Sequence, residues 1–201
     1  MKNPYSELES QGITDKKVLK VIRSLPRELF VADEYHQQAY INAPLPIDCG
    51  QTISQPFIVA YMTEKLGLKP TDRVLEIGTG SGFQTAVLAQ LVAEVYTIEV
   101  YPELSQKAQK LLNKLGYKNV KYRIEDGKLG WNDYAPFDKI MLTAVAPEIP
   151  SLLVKQLKME GKMILPLANS QGEQYLVLIN KLERGKIEQK QLIPVRFVPL
   201  L

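Results

Sequence analysis

The 201-residue chain is 45% hydrophobic and carries 25 basic against 22 acidic side chains, a formal net charge of +3 that excludes the polycationic surface typical of nucleic-acid-binding proteins. One cysteine and one histidine exclude an internal disulfide and are too few for a typical zinc or copper site, so we expect no metal. No apolar run has the length of a membrane span or the character of a signal peptide, and we therefore expect a cytoplasmic protein without membrane contact.

The first predicted element is a helical segment from Gly12 to Val31. Its apolar residues recur at helical spacing, Thr14 or Asp15 can cap its start, and Pro26 interrupts it. We interpret this segment as a helical appendage at the N-terminal end of the chain.

A loop follows from residue 43 to residue 56. Two prolines and a glycine exclude a regular helix in its first half, and a helical pattern resumes from Phe57 to Leu66. Ser54 has two compatible interpretations. It can cap this helix, with Pro56 in the first turn, and its hydroxyl can also help to bind a carboxylate at the helix start.

The most informative stretch runs from Val74 to Gly82, where a short apolar strand leads into a glycine-rich turn and then into a helical pattern. Glycine tolerates positive φ and lets a ligand approach the backbone closely. The turn departs from the dinucleotide-binding fingerprint, which would need a glycine where Phe83 stands. Because that fingerprint holds a phosphate at a helix start, the departure favours a ligand without phosphate, and we predict S-adenosyl-L-methionine.

Several cofactor contacts are predicted around this turn. Glu76, at the strand end, can bind the ammonium of the methionine part. Glu99 follows about twenty residues later at the ribose position, although it can equally be a solvated strand end. Asp126 and Gly127 follow the next strand, where a carboxylate can bind the adenine amino group, although Asp-Gly is also an ordinary turn. The glycines predicted to contact the cofactor are Gly78, Gly80 and Gly82.

Strand and helix patterns alternate over the rest of the chain. Strands are predicted at 73–77, 94–99, 120–125, 139–145, 162–167 and 173–181, helices at about 83–92, 102–115 and 150–157, and a final extended run at 187–200. This order predicts an α/β fold, a doubly wound, mostly parallel sheet with an antiparallel edge and an N-terminal helical appendage. We expect a single domain over residues 1–201, with helices and the loop in residues 1–60 and a Rossmann-like core with C-terminal strands in residues 61–201.

From residue 12 to residue 200 the chain resembles the protein-L-isoaspartate (D-aspartate) O-methyltransferase family. The segments that carry the resemblance are PRELFV at 26–31, PLPI at 44–47, GQTISQP at 50–56, VLEIGTGSG at 74–82, APFD at 135–138 and VRFVPL at 195–200. GQTISQP upstream of the glycine turn is the most specific of these. Asn42 and Asp48 depart from the family, in which Asp and Gly are usual at these positions.

The resemblance implies a Rossmann-like class I methyltransferase that takes its methyl group from S-adenosyl-L-methionine. The acceptor would be the free carboxylate of L-isoaspartyl and D-aspartyl residues in damaged proteins and peptides, and the methyl ester would revert through a succinimide to aspartate. Ser54 would be the active-site serine, and Thr52, Ile53 and Ser54 would lie against the cofactor. To the peptide substrate we assign Asn42, Pro46, Ile53, Ser54, Val195 and Arg196.

Ser54 is expected to orient the acceptor by a hydrogen bond and not to act as a nucleophile. A carboxylate with a pKa of about 4 is already ionised at neutral pH, so its attack needs no general base. No histidine stands in a recognisable Ser-His-Asp arrangement that could activate the hydroxyl. We expect the enzyme to act as a monomer.

Three other functions compete with this hypothesis. A methyltransferase for amines, phenols or small metabolites would generally need a base, and the sequence offers no obvious histidine or lysine for that task. A non-catalytic protein could keep the fold for binding alone. An NAD-dependent oxidoreductase is disfavoured by the glycine spacing.

Overall fold

The computed structural model describes residues 5 to 201, and a seven-stranded sheet forms the centre of these residues. The elements before the large sheet are α1 (Ser6–Ser10), α2 (Lys16–Ser24), β1 (Leu45–Pro46), β2 (Thr52–Ile53) and α3 (Pro56–Leu66). The elements of the core are β3 (Arg73–Ile77), α4 (Phe83–Ala89), β4 (Glu94–Glu99), α5 (Pro102–Lys114), β5 (Val120–Ile124), β6 (Phe137–Leu142), α6 (Ser151–Gln156), β7 (Leu157–Ala168), β8 (Gln174–Lys181) and β9 (Ile187–Val195).

The N-terminal helical prediction is confirmed for α2, with closer bounds. The Asp15 carboxylate caps this helix, accepting hydrogen bonds from the amides of Lys17 at 2.8 Å and Val18 at 3.3 Å. The helix ends at Ser24, ahead of the proline, because the residue before a proline is biased away from helical geometry. Residues 1–4 of the predicted 1–60 segment lie outside the described residues, and the single-domain assignment stays a prediction.

The predicted capping of α3 by Ser54 is wrong. Gln55 occupies the N-cap position and makes no side-chain capping bond, while Pro56 lies in the first turn as expected. The capping acceptor comes from elsewhere, because the amide of Phe57 donates to Asn42 Oδ1 at 3.0 Å. An amide oxygen from the preceding loop therefore satisfies one of the unpaired amides at the helix start.

The strand order in the large sheet is β5-β4-β3-β6-β7-β8-β9. The pairs β3–β4, β4–β5, β3–β6 and β6–β7 are parallel, whereas β7–β8 and β8–β9 are antiparallel. The predicted α/β class, the mostly parallel doubly wound sheet and its antiparallel edge are thus confirmed. The chain reverses its direction of progress between β3 and β6, and ligands in open α/β sheets bind at the carboxyl ends of the strands beside such a point.

Strand β7 begins five residues earlier than predicted, directly after α6. The pairing with β6 shifts between Phe137–Leu157 and Lys139–Lys162, so extra residues of β7 bulge out of the ladder. Glu160 lies in this bulge with a φ of 61°. Two separate apolar clusters cover the faces of the sheet, and a third packs the N-terminal helices against α4 and α5. Within residues 5–201 no helix combines the length and apolarity needed to cross a membrane.

Candidate functional site

The predicted site residues meet at the carboxyl edge of the sheet, beside the switch point between β3 and β6. A cavity at this edge, here called the cofactor cavity, is lined by the ends of three parallel strands, by the loop before α3 and by the last residues of the chain. Its lining includes Gln51, Thr52, Ile77, Gly78, Gly80, Ile98, Glu99, Val100, Tyr101, Gly127, Thr143, Ala144 and Val198 to Leu201.

At two glycines in this lining, an added side chain would force a neighbouring side chain to move. Gly78 has a φ of 94°, and a Cβ there would lie 2.3 Å from the Thr143 hydroxyl oxygen. A Cβ on Gly127 would lie 2.2 Å from a methyl carbon of Ile77. Both glycines bring bare backbone to the cavity, which is the property predicted for a turn that approaches a ligand closely. Gly80, with a φ of 53°, lines the same cavity.

Gly82 lies beside the cavity and not in its lining, so its predicted cofactor contact stays a prediction. It is the N-cap of α4 with a φ of 85°. A Cβ on Gly82 would lie 3.1 Å from the Cβ of Ala108 and 3.3 Å from Leu112 in α5. This glycine allows α4 and α5 to pack closely behind the turn.

Glu99 lies at the end of β4 and is 6% exposed, so it is not a solvated strand end. One carboxylate oxygen accepts from the Gly80 amide at 2.8 Å, and the other accepts from the amides of Val100 at 2.9 Å and Tyr101 at 3.1 Å. The carboxylate thereby joins the glycine turn to the start of α5. A carboxylate has about four acceptor positions, so one remains for a ligand hydroxyl.

Glu76 lies below the turn, and the structure does not place it in the cavity lining. It is fully buried, and its Oε2 accepts hydrogen bonds from Thr85 at 2.6 Å and Thr97 at 2.7 Å. Its Oε1 has no hydrogen-bond partner among the described residues. Burial raises the pKa of the Glu76 carboxyl to about 8, the Glu99 charge adds to this, and the two threonine hydroxyls oppose it.

Asp126 lies immediately before Gly127 and also lies outside the cavity lining. Its carboxylate accepts from the amide of Lys128 at 2.9 Å and lies 3.5 Å from the ammonium of that lysine. The predicted adenine contact of Asp126 therefore stays a prediction, whereas Gly127 lies directly on the cavity.

A second depression, here called the peptide groove, adjoins the cofactor cavity. It is lined by Pro44, Thr52, Ser54, Gln55, Ile58, Thr143, Pro194, Val195, Arg196, Phe197 and Val198. Thr52, Thr143 and Val198 border both spaces. Ile53 is buried, and together with Thr52 and Ser54 it borders a third, smaller space against Gly78 and Gly80.

The backbone of Ser54 is held by a buried arginine that the sequence analysis assigned no role. Arg27 is fully buried and donates from Nε to the Ala39 carbonyl at 2.7 Å and from Nη2 to the Ser54 carbonyl at 2.8 Å. Its guanidinium stacks on the Phe83 ring, 4.9 Å from the centroid. Burial lowers the pKa of Arg27 to about 10, so the group stays charged at neutral pH.

Three predicted substrate residues lie outside the groove lining, namely Ile53, which borders the third space, and Asn42 and Pro46. Asn42 caps α3 through Phe57 and donates from Nδ2 to Gln11 at 3.1 Å, so both ends of its amide are engaged. Pro46 pairs with Thr52 in the small β1–β2 sheet. The other family departure, Asp48, forms an exposed ion pair with Lys107 of α5 at 2.8 Å. These residues shape the loop around the site.

Thr143 is the site residue that the sequence analysis missed. It directly follows β6 at the carboxyl edge, and its hydroxyl donates to the carbonyls of Gly78 at 2.8 Å or Ile77 at 3.0 Å. The strand-end rule that singled out Glu99 and Asp126 would have selected it, but a threonine carries no distinctive chemistry in a sequence.

The donor set fits S-adenosyl-L-methionine. Bare backbone at Gly78, Gly80 and Gly127 and a partly free carboxylate at Glu99 suit a nucleoside without phosphate, and no basic side chain of residues 5–201 lines the cofactor cavity. In residues 5–201 no group of three or more metal-ligating side chains comes together.

Comparison with known proteins agrees with this geometry. The family model described as protein-L-isoaspartate (D-aspartate) O-methyltransferase matches residues 2–201. The protein-L-isoaspartate O-methyltransferase of Parvibaculum lavamentivorans is 51% identical over 196 residues, which cover 96% of this chain and 88% of the relative.

Two solved structures share the fold. A protein-L-isoaspartate O-methyltransferase superposes with a TM-score of 0.88 at 28% identity, covering 98% of this chain and 64% of that longer chain. A Plasmodium falciparum structure reported as the same kind of enzyme, in complex with S-adenosyl-L-homocysteine, superposes with a TM-score of 0.87 at 26% identity and covers 98% of this chain and 96% of that one. The chain therefore belongs to the protein-L-isoaspartate (D-aspartate) O-methyltransferase family.

Proposed function

We propose that this chain is a protein-repair methyltransferase that esterifies the free carboxylate of L-isoaspartyl and D-aspartyl residues in damaged proteins and peptides. The observation that carries the proposal is the position of Ser54, in a groove that meets the cofactor cavity at Thr52 and Thr143. The ester then reverts through a succinimide to aspartate. Family membership supports the same reaction.

The cofactor cavity has the parts needed to hold S-adenosyl-L-methionine. Gly78, Gly80 and Gly127 would supply close backbone, and the Glu99 carboxylate would accept a ribose hydroxyl. When bound, the cofactor would supply a methyl group carried on a positively charged sulfur, and that methyl carbon would be the acceptor for a carboxylate oxygen, with the neutral thioether as the leaving group. Glu76 would act from below the turn by fixing the threonines of β4 and α4.

The protein's contribution is alignment of the acceptor and exclusion of water. Ser54 orients the acceptor carboxylate by donating a hydrogen bond from its hydroxyl, and Arg27 holds the Ser54 backbone through its carbonyl. The acceptor is already ionised, so no group in the site needs to remove a proton. Holding the reacting groups in line in a closed site can contribute about 7 to 11 kcal/mol.

The test is transfer of labelled methyl from S-adenosyl-L-methionine to matched peptides that contain isoaspartate or aspartate. We expect base-labile label on the isoaspartyl peptide only. Ser54→Ala should lower kcat/KM by about 10- to 100-fold, because a hydrogen bond to a charged group contributes about 1.5–3 kcal/mol. Ser170→Ala, at an exposed turn, is the matched control and should leave the rate unchanged.

A thermal shift on adding S-adenosyl-L-methionine separates binding from catalysis, because a ligand that binds the folded state raises the melting temperature. A shift without label on either peptide would reject the proposed acceptor. The cytoplasmic location and the monomeric state stay predictions of the sequence, and cell fractionation and size-exclusion chromatography test them.

A further inference from the structure

The peptide groove is uncharged except at one position. Among the residues that line it, Arg196 alone has a charged side chain. Arg196 is exposed, and none of the ion pairs between the described residues includes it. A guanidinium without a protein counter-ion is available to a ligand carboxylate.

Hydrogen bonds and apolar contacts hold the backbone next to Arg196. The Phe197 amide donates to Gln174 Oε1 at 2.6 Å, and Gln174 Nε2 donates to the Phe197 carbonyl at 3.3 Å. The Val145 amide donates to the Val198 carbonyl at 2.8 Å. Val195 and Phe197 pack against the apolar core, and Arg196 between them is exposed, as alternation in an extended chain requires. Its charge is therefore presented from a fixed point beside the groove.

Arg196 and Ser54 reach the groove from different parts of the chain. Ser54 lies in the loop before α3, and Arg196 follows β9 at the other end of the chain. A peptide lying in the groove would thus meet two different groups, the Ser54 hydroxyl, which binds the reacting carboxylate, and the Arg196 guanidinium. Arginine binds carboxylates with a planar fork and stays charged at every physiological pH.

We propose that Arg196 selects damaged peptides that carry an acidic side chain next to the isoaspartyl residue, an inference that rests on the proposed function. A glutamate or aspartate at that place pairs with the guanidinium. A lysine or arginine there is repelled, and the groove lining offers no carboxylate to compensate. Arg196 is a specificity residue in this scheme, whereas Ser54 binds the reacting carboxylate of the peptide.

The test uses three acetylated and amidated isoaspartyl peptides that differ only in the residue next to isoaspartate, which is Glu, Gln or Lys. We expect kcat/KM to fall in that order, with a Glu-to-Lys ratio of about 2 to 5, the range for exposed ion pairs. Arg196→Gln should bring the ratio close to one, and Arg196→Glu should invert it. High salt should reduce the ratio in the unsubstituted enzyme, because it screens exposed charges.

Lys190→Gln is the matched control, since Lys190 is an exposed cation on β9 that does not line the groove. It should leave the ratio unchanged. Equal rates on the three peptides would overturn the inference while the proposed function stands. An Arg196→Gln enzyme that loses activity equally on all three peptides would also overturn it, because Arg196 would then bind the reacting carboxylate. Failure to label any isoaspartyl peptide would overturn both proposals.

Discussion

The carboxyl edge of the sheet and the loop of residues 43–56 form two walls of one site, but different contacts hold them. At the edge, the backbone hydrogen bonds of the sheet hold most of the structure: the Gly78 amide donates to the Ile98 carbonyl at 2.8 Å where the ladder between β3 and β4 ends, and the side chains of Glu99 and Thr143 add to these bonds. The loop has only the two-residue strands β1 and β2. Two side chains add to them: Arg27 binds the Ser54 carbonyl, and Asn42, directly before the loop, binds the Phe57 amide directly after it. The comparison teaches that the cofactor wall follows from the sheet, whereas the substrate wall depends on a few side chains.

The largest effect, a loss of cofactor affinity, is expected from adding a side chain at Gly78 in the cofactor wall. Gly78→Ala places a Cβ 2.3 Å from the Thr143 hydroxyl oxygen at a φ of 94°. Strained backbone and overpacking each cost about 1–3 kcal/mol, so affinity for S-adenosyl-L-methionine should fall about 100-fold. Isothermal titration measures this loss.

Two further variants separate the clash from the strain. Gly185→Ala has a φ of 76° but nothing within 4 Å of the new Cβ, so it should not change cofactor affinity. Thr143→Ala in the Gly78→Ala background removes the clashing oxygen and should restore part of the binding. Unchanged cofactor affinity in Gly78→Ala alone would refute the prediction that the cofactor wall needs a glycine at this position.

Replacing Arg27 should weaken the substrate wall, the loop of residues 43–56, and leave the affinity for the cofactor unchanged. Arg27→Met leaves the carbonyls of Ala39 and Ser54 without donors, at about 1–3 kcal/mol for each buried group, partly offset because no cation is buried. We expect a loss of about 1–3 kcal/mol in the free energy of unfolding and a fall of about tenfold in kcat/KM for isoaspartyl peptide. Urea unfolding and methyl transfer measure the two.

Arg23→Met is the matched control for this substitution. Arg23 pairs with Glu9 at the surface, with side chains 29% and 57% exposed, and such a pair changes stability by less than about 1 kcal/mol. If Arg27→Met lowered stability but left kcat/KM unchanged, the Ser54 carbonyl would not need its donor, and the contrast between the two walls would fail.

The same contrast explains what could be predicted from the sequence. The strands of the edge were predicted to within a few residues because buried strands have a short apolar pattern. Gly78 and Glu99 were chosen because strand ends carry the ligand contacts of such folds, and the structure brings both to the cavity lining. The capping of α3 by Asn42 was missed because it joins residues fifteen positions apart across a loop. Sequence spacing carries no signal for such a contact.

At the edge, the structure gives Gly82 and Glu76 surroundings that their residue types did not predict. Gly82 belongs to the glycine pattern of the turn, yet its lack of a side chain serves the packing of α4 on α5. Glu76 was expected to bind the ammonium of the methionine part because it lies at the strand end, but it is fully buried and outside the cavity lining. The hydroxyls of Thr85 and Thr97 make that burial possible, and only the folded chain brings them to the carboxylate.

A pH-dependent effect tests the buried carboxyl beneath the cofactor wall. The pKa of Glu76 is raised from its ordinary 4.5 to about 8 in the folded chain, mainly by burial. Above pH 4.5 the unfolded chain releases this proton and the folded chain keeps it, so Glu76 lowers the stability of the fold increasingly as pH rises towards 8. The slope is at most about 1.4 kcal/mol per pH unit.

Glu76→Gln cannot ionise, and its amide oxygen can still accept from the two threonines. The free energy of unfolding of the unsubstituted protein, minus that of Glu76→Gln, should therefore fall steadily between pH 5 and pH 8 in urea titrations. Glu94→Gln is the control: hydrogen bonds from Tyr96 and Lys121 lower the pKa of Glu94, so the corresponding difference for Glu94→Gln should be flat over that range. A flat difference for Glu76→Gln as well would mean that the carboxyl is ionised in the folded chain. The cofactor wall would then contain a buried negative charge beneath the glycine turn.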